Sequence, residues 1–344
     1  MLLTGAKARV FQVHVTRRCN LRCTHCYSSS GPEERDSLPF PLLKNAIVDA
    51  ARLGYNAVGF SGGEPLLRAD LPLLADAAHS HGMLVTLVTN GLVFTERRVA
   101  ELKDLVDMVA ISLDGAPERH NRTRGLSSAF VQMRNKLALL RDAGMKFGFV
   151  FTLTRDNLAE LEWAADFAWR QGAVLFQVHP LELTGRAANN LAGQEPTGDP
   201  AARAWLIVQR LRQIYKDKMV IEGDLTIPAL PPIAKEQALS YARECLTGRR
   251  PLAHFLSPLV LEADGFLVPL RFAFPRAFAF GSLHEGGLLS LASAWIQTCA
   301  LQLSKLYGRA IDEARASAYP VINLYEWITR QARAEDPMLL TISA

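Results

Sequence analysis

Three cysteines crowd one short stretch of this 344-residue chain: Cys19, Cys23 and Cys26 in "RRCNLRCTHCYSS" (17–29), spaced C-x3-C-x2-C. Thiols this close point to metal ligation. A structural zinc site pairs two C-x2-C knuckles, or a Cys pair with a His pair. Here His25 sits between two of the thiols and no second knuckle exists. Three packed core cysteines fit less well still, because the loop carries Arg17, Arg18, Asn20 and Arg22. An iron–sulfur cluster, a multi-iron object held by closely spaced thiolates, suits the pattern. Three protein ligands on a four-iron cube leave one iron with an open coordination position, which a chemically active metal site needs.

Further motifs follow in order. In "SGGEP" (61–65) the glycines allow close backbone approach to a ligand, and Glu64 offers an acceptor for an ammonium group. "TNG" (89–91) and "SLDG" (112–115) present Asn90, Ser112 and Asp114, short polar side chains suited to hydroxyls or a carboxylate; alone, each is an ordinary strand-end turn. "HNRTRG" (120–125) holds Arg124, a planar donor for bidentate contact. Gln177 and His179 face either a ligand or each other. His14, His179 and Cys245 are candidate hydrogen or proton donors by position only.

The elements that carry these residues alternate. Strand-like runs at 8–16, 56–63, 84–91, 107–115, 146–154 and 173–182 are rich in β-branched and apolar residues. Between them lie helical patterns such as "PLLKNAIVDAARLG" and "SSAFVQMRNKLALLRDAG", several ending in Gly. Six β-then-α units imply parallel strands with right-handed crossovers, as a doubly wound sheet or a partial barrel. Polar residues recur near strand C-termini: Gln12, His14 and Thr16; Ser112 and Asp114; Thr152 and Thr154; Gln177 and His179. That favours a barrel open at its C-terminal rim, where the cysteine loop also sits. Past residue 183, "TGRAANNLAGQEPTGDPAARA" reads as a linker or surface loop. "SPLVLEADGFLVPL" reads as a hairpin turning near Ala263-Asp264-Gly265, and the last sixty residues read as helical.

At these residues the chain resembles the radical S-adenosylmethionine (SAM) superfamily, whose signature is the same C-x3-C-x2-C. The resemblance runs over about residues 8–190. It implies an α/β fold, a partial (βα)6 TIM-like barrel, with a smaller α+β C-terminal extension; the expected division is 1–190 and 191–344. It also implies a 4Fe-4S cluster on Cys19, Cys23 and Cys26, with the amino and carboxylate groups of SAM chelating the unique iron. An electron from the cluster then cleaves the sulfonium to methionine and a 5′-deoxyadenosyl radical that abstracts a substrate hydrogen. By the same resemblance Gly62, Gly63 and Glu64 bind the SAM amino group, Arg124 lies near its carboxylate, and Asn90, Ser112 and Asp114 complete the SAM shelf.

"SPLVLEADGFLVPLRFAFPRAFAFGSL" resembles the SPASM extension of many such barrels, in which flanking cysteines hold auxiliary clusters. Leu270 stands where one such cysteine is expected, and Cys245 and Cys299 are too few for a four-ligand cluster. The resemblance therefore implies one cluster and a cluster-free SPASM-like remnant, with Cys245 and Cys299 as buried small hydrophobes. SPASM-type relatives point to a peptide or protein side chain as substrate. "VTRRCNLRCTHCY" resembles haem-pathway members, which keeps a tetrapyrrole or small metabolite open. A non-catalytic iron–sulfur protein is the reading of another class, and the intact Gly-Gly-Glu-Pro and Arg-Gly segments argue against it. Flavodoxin or ferredoxin is the expected electron donor.

Composition bounds the rest. Charged residues make up 21% and hydrophobic residues 49%, an ordinary soluble balance. A net charge of +4, dispersed along the chain, argues for neither nucleic acid nor a membrane surface. The N-terminal "MLLTGAKARVFQVHV" lacks a signal-peptide apolar core, and five cysteines make an odd count. The expected compartment is the cytoplasm.

Overall fold

A computed structural model describes residues 8–335. Residues 1–7 and 336–344 lie outside the described residues, and with them the outer ends of the two expected domains and the tail of the C-terminal helical run. All six expected strands form: β1 (Val10–Thr16), β2 (Ala57–Gly62), β3 (Leu84–Thr89), β4 (Met108–Leu113), β5 (Phe147–Leu153) and β6 (Leu175–Pro180). They pair in sequence order and in parallel. Parallel strands are covered on both faces, which is why runs such as "AVGFSG" are apolar nearly throughout.

Helices α1 (Phe40–Arg52), α2 (Leu71–His79), α3 (Glu96–Leu102), α4 (Pro117–Arg124), α5 (Ala129–Asp142) and α6 (Leu161–Arg170) link the strands. α1 buries Leu43, Ala46, Ile47 and Ala50, one helical face at i, i+3, i+4 and i+7. α4 ends in a left-handed Gly125 (φ 68°), a glycine C-terminus that places Arg124 in the last turn.

The second half completes the same sheet rather than standing apart from it. After α7 (Arg186–Asn190) and α8 (Asp199–Ile214), β7 (Val220–Gly223) joins β6 in parallel; this strand had no distinct signal in the sequence. β8 (Leu225–Thr226), α9 (Lys235–Leu246) and α10 (Leu252–Phe255) lead to the expected hairpin, β9 (Leu259–Leu261) and β10 (Phe266–Pro269). β9 pairs in parallel with β1, and β11 (Gly281–Ser282) follows β10, so the ten strands run β11-β10-β9-β1-β2-β3-β4-β5-β6-β7. α11 (Leu288–Thr298), α12 (Ala300–Ala316), β12 (Ile322–Asn323, paired with β8) and α13 (Leu324–Ala334) close the described chain. The architecture is a partial barrel whose open rim is built from both halves. Among the described residues, no helix is long and apolar enough to cross a membrane.

Candidate functional site at the C-terminal rim

The cysteine loop leaves β1 and folds across the C-terminal ends of the barrel strands. Cys19 N donates to Gly31 O at 3.0 Å, and Thr24 N donates to Thr123 O on α4 at 2.9 Å. Within the segment read as a linker or surface loop, Arg186–Asn190 form α7, which clamps the cysteine loop. Arg186 N donates to Cys26 O (2.9 Å), Arg186 Nε to Cys23 O (2.9 Å) and Arg186 Nη2 to Ser30 O (2.6 Å). The five-residue helix is too short and too rich in small residues for periodicity to reveal it. Gly185 (φ 56°) permits the contact, since a Cβ there would lie 2.3 Å from Tyr27 O.

Below the loop lies a cleft of about 910 Å³, counted with the part open to solvent. Cys19, Cys23 and Cys26 line it together with Gly62, Gly63, Asn90, Ser112, Arg124, Arg186, His179 and Glu182. The structure thus brings together most of the residues expected at the site. All five cysteines are free thiols, and Cys245 is buried away from this cleft, with Pro251 O accepting its S–H at 3.8 Å.

The thiols suit a thiolate-held cluster. Each sulfur has its own polar neighbour from a different element: Asn90 Nδ2 at 3.9 Å from Cys19, Arg124 Nη1 at 3.7 Å from Cys23, and Ser28 Oγ at 3.5 Å from Cys26. Donors aimed at ligand sulfurs orient them and set their electron density. Burial pushes the Cys19 thiol up to about 12, and burial also raises Cys23 against the opposing pull of Arg124. Such thiols ionise only when a metal's positive charge replaces the proton. Among the described residues no three His, Cys, Asp or Glu side chains are gathered to hold a single metal ion, as a zinc site would require. His25 Nδ1 is buried and unpartnered, leaving a polar atom beside the cleft.

The Gly-Gly-Glu-Pro turn works partly by touching the cysteine loop. Gly62 adopts φ +114°, and a Cβ at Gly63 would lie 2.2 Å from Arg18 O. Gly63 N donates to Thr16 O (2.7 Å) and Glu64 N to Arg18 O (2.9 Å). The glycines therefore let two backbones meet, besides lining the cleft. Glu64 is fully buried and turned inward. Its Oε1 accepts from Thr89 Oγ1 (2.8 Å) and Leu66 N (3.1 Å), and its Oε2 from Asn90 N (2.9 Å). Burial raises its pKa to about 7 although those three donors oppose the rise. Asn90 in turn caps its own turn, Oδ1 accepting from Leu92 N at 3.0 Å.

Asp114 and Arg124 form the electrostatic centre behind the cysteines. Arg124 Nε and Nη2 reach the two Asp114 oxygens at 2.6 and 3.0 Å, and His25 Nε2 lies 2.9 Å from Oδ1. Burial alone would raise the Asp114 pKa, but Arg124, His25 and His120 outweigh it and hold the carboxyl well below its usual range. Burial lowers His120 to about 4, so it is neutral at pH 7, and its Nδ1 accepts from Asp114 N at 3.4 Å. Arg124 thus lies at the cleft with its guanidinium shared between a carboxylate and a sulfur.

The opposite wall was not legible as a unit. His179 Nδ1 pairs with Asp224 Oδ2 (2.6 Å) and Nε2 lies 3.5 Å from Glu182 Oε1. Burial opposes charge on this ring, yet the two carboxylates win and raise it to about 10. Arg271, 5% exposed, continues the network to Glu182 (3.2 Å) and Glu326 (2.5 Å). The next residue, Phe272, stacks on His14 at 4.9 Å and meets Tyr27 edge-on at 5.3 Å. Burial lowers His14 to about 4, so it is a neutral packing ring. Left-handed Leu270 (φ 68°) and Ala273 (φ 55°) flank this pair and aim two adjacent side chains at different walls of the barrel mouth. Gln177 does not reach the cleft lining. The remaining "RFAFPRAFAF" phenylalanines Phe274, Phe278 and Phe280 are core.

The Radical SAM superfamily model matches residues 13–168. Mycofactocin maturase MftC of Mycobacterium tuberculosis is 34% identical over 275 residues, covering 73% of this chain and 67% of that protein. The chain belongs to the radical SAM superfamily. The Fe-coproporphyrin III synthase of Methanosarcina barkeri is 30% identical over 205 residues, 59% of this chain, and the chain spans about half of that relative, 51%. Among solved structures, native anSMEcpe with bound AdoMet and a peptide superposes with a TM-score of 0.61 over 97% of this chain and 98% of that one, at 16% identity. That likeness extends the radical SAM fold through the C-terminal half. Membership implies a 4Fe-4S cluster and SAM, for which the three free thiols and the glycine-lined cleft are suited.

Proposed function

We propose that the chain is a radical SAM enzyme acting on a peptide or protein side chain, with a single 4Fe-4S cluster. Cys19, Cys23 and Cys26 are its ligands, and Gly62, Gly63, Asn90, Ser112 and Arg124 form the SAM-facing surface. Glu64 and Asp114 act from behind, tying β2 to β3 and holding Arg124. Held there, the cluster would supply the electron for reductive cleavage of SAM and so the means of hydrogen abstraction from the substrate. The chain's own residues do the positioning: Arg186 clamps the loop, Asn90, Arg124 and Ser28 approach the sulfurs, and Phe272 and Arg271 brace His14 and Glu182. The observation that carries this reading is three free thiols on one cleft, each with a separate polar neighbour.

Similarity to a maturase, MftC, and to a fold neighbour solved with a bound peptide supports a peptide as substrate. Similarity to the Methanosarcina synthase keeps a tetrapyrrole as the second reading, and co-purified pigment would favour it. The remaining assignments are a 1–190 radical SAM unit whose sheet is continued by a cluster-free SPASM-like region over 191–344, a flavodoxin or ferredoxin donor, and a cytoplasmic setting.

The test is anaerobic reconstitution with iron and sulfide, then SAM and dithionite. Roughly four irons per chain, a reduced-cluster magnetic resonance spectrum that changes on adding SAM, and 5′-deoxyadenosine are expected. A cluster without deoxyadenosine would leave a non-catalytic iron–sulfur protein. Iron-free protein, or an unchanged spectrum, defeats the assignment.

A further inference from the structure

A second cleft, about 840 Å³ counted with its open part, lies beside the first. Its walls are largely apolar, with Leu181, Leu183, Val321 and Trp327 among them. Three charged side chains reach it: Glu195, Glu326 and Arg330. Glu326 is answered by Arg271 at 2.5 Å, and Arg330 by Glu313 at 2.6 Å. Glu195 is different. Among the described residues its Oε2 is buried without a hydrogen-bond partner. A buried carboxylate oxygen that lacks a donor is costly to fold around, and in a cleft it marks where a ligand can supply one.

The two clefts share a wall. Leu181 lines both, Glu182 lines the first and Leu183 the second, so successive residues past β6 form a partition. Arg271 bridges that partition, from Glu182 on one side to Glu326 on the other. This short divide separates the two clefts.

We propose that the second cleft binds a cationic side chain of the substrate, a lysine or arginine next to an apolar residue. The Glu195 carboxylate accepts from the ammonium or guanidinium, and Leu183, Val321 and Ile322 pack on the aliphatic stem, the Trp327 ring being covered by Arg330 at 4.2 Å. A long apolar stem with a charged head matches an apolar wall holding one unanswered carboxylate. An anionic group would meet Glu195 and Glu326 with like charge. The proposal deepens the peptide reading above and rests on it for the carrier of the cation.

Acetyl-Leu-Lys-amide and acetyl-Leu-Glu-amide, titrated calorimetrically into the full chain with and without reconstituted cluster, test it. The lysine peptide is expected to bind at least ~10-fold more tightly than the glutamate peptide. Glu195→Gln should erase that preference, and Glu195→Lys should reverse it, a gain that a misfolded variant cannot produce. Equal binding of the two peptides, binding of neither, or an unchanged preference in Glu195→Gln overturns the proposal. Deoxyadenosine formation is scored on the same preparations. Lost discrimination with intact deoxyadenosine output defeats the second cleft alone, whereas discrimination without deoxyadenosine supports the cleft and defeats the radical reading.

Discussion

Asp114 and Arg124 are locked in a two-bond pair, Nε to Oδ2 at 2.6 Å and Nη2 to Oδ1 at 3.0 Å, while the third nitrogen, Nη1, lies 3.7 Å from the Cys23 sulfur. Both side chains are buried, so the pair is a fixed dipole behind the cysteine loop. Removing one partner leaves an uncompensated buried charge. Arg124→Ala is therefore expected to destabilise the fold by ~3–5 kcal/mol in a denaturant titration. Arg124→Lys keeps the charge but loses the planar fork, and should fall between the two. Stability of Arg124→Ala within experimental error of the parent would contradict this account.

Arg186 holds the carbonyls of Cys23 and Ser30 through its side chain. Hydrogen bonds from a charged donor contribute about 1.5 kcal/mol each at the low end. Arg186→Ala should loosen the loop, so that in cluster-free protein its thiols are alkylated at least ~10-fold faster and less iron is retained after reconstitution. Mass spectrometry of alkylated peptides reads the first effect directly, and an unchanged labelling rate would remove Arg186 from this role.

Gly63 and Gly82 separate close approach from backbone strain. At Gly63 a Cβ would lie 2.2 Å from a carbonyl oxygen, and backbone atoms give way poorly. Gly82 has φ +71° and nothing within 4 Å. Gly82→Ala should cost only the ~1 kcal/mol of left-handed strain. Gly63→Ala should cost ~2 kcal/mol or more and also displace the cysteine loop, visible as reduced iron loading. Equal costs for the two would mean that the loop moves freely.

The pH dependence of stability should carry the mark of His179. Its folded-state pKa is raised from 6.5 to about 10 by Asp224 and Glu182 against the effect of burial. A raised value means that the contribution is full below about pH 6.5 and is lost as pH rises through about 10. The side chain is 36% exposed, so solvent screening limits the effect to ~1 kcal/mol. The stability difference between the parent and His179→Gln should therefore shrink steadily from pH 6 to pH 10. A difference that grows over this range would reverse the sign and refute the pairing.

Much of the barrel was legible because its signals are local. "AVGFSG" and its neighbours are apolar enough to be strands buried on both faces, and α1 carries its core residues on one helical face. β7 and α7 were missed for the converse reason: four and five residues respectively are too few to establish a period. The His179–Asp224–Glu182–Arg271–Glu326 wall was invisible as a unit because its members span residues 179 to 326, and nothing in the sequence links His179 or the Arg271 stretch to Glu182, Asp224 and Glu326.

Spacing by itself determined the metal-binding character of this chain: three thiols within eight residues stay close in any fold that keeps the loop short. It also placed Gly62, Gly63, Asn90 and Ser112 on successive strand ends and Arg124 a short way past the fourth, which a parallel barrel gathers at one rim. Only the tertiary structure decided how their bonding capacity is used. Glu64 is spent on Thr89, Leu66 and Asn90, Arg124 is divided between Asp114 and Cys23, and Phe272 reaches His14 from more than 250 residues away in the chain. The physical reason is that a side chain's type states which bonds it can make, whereas packing states which neighbours arrive first.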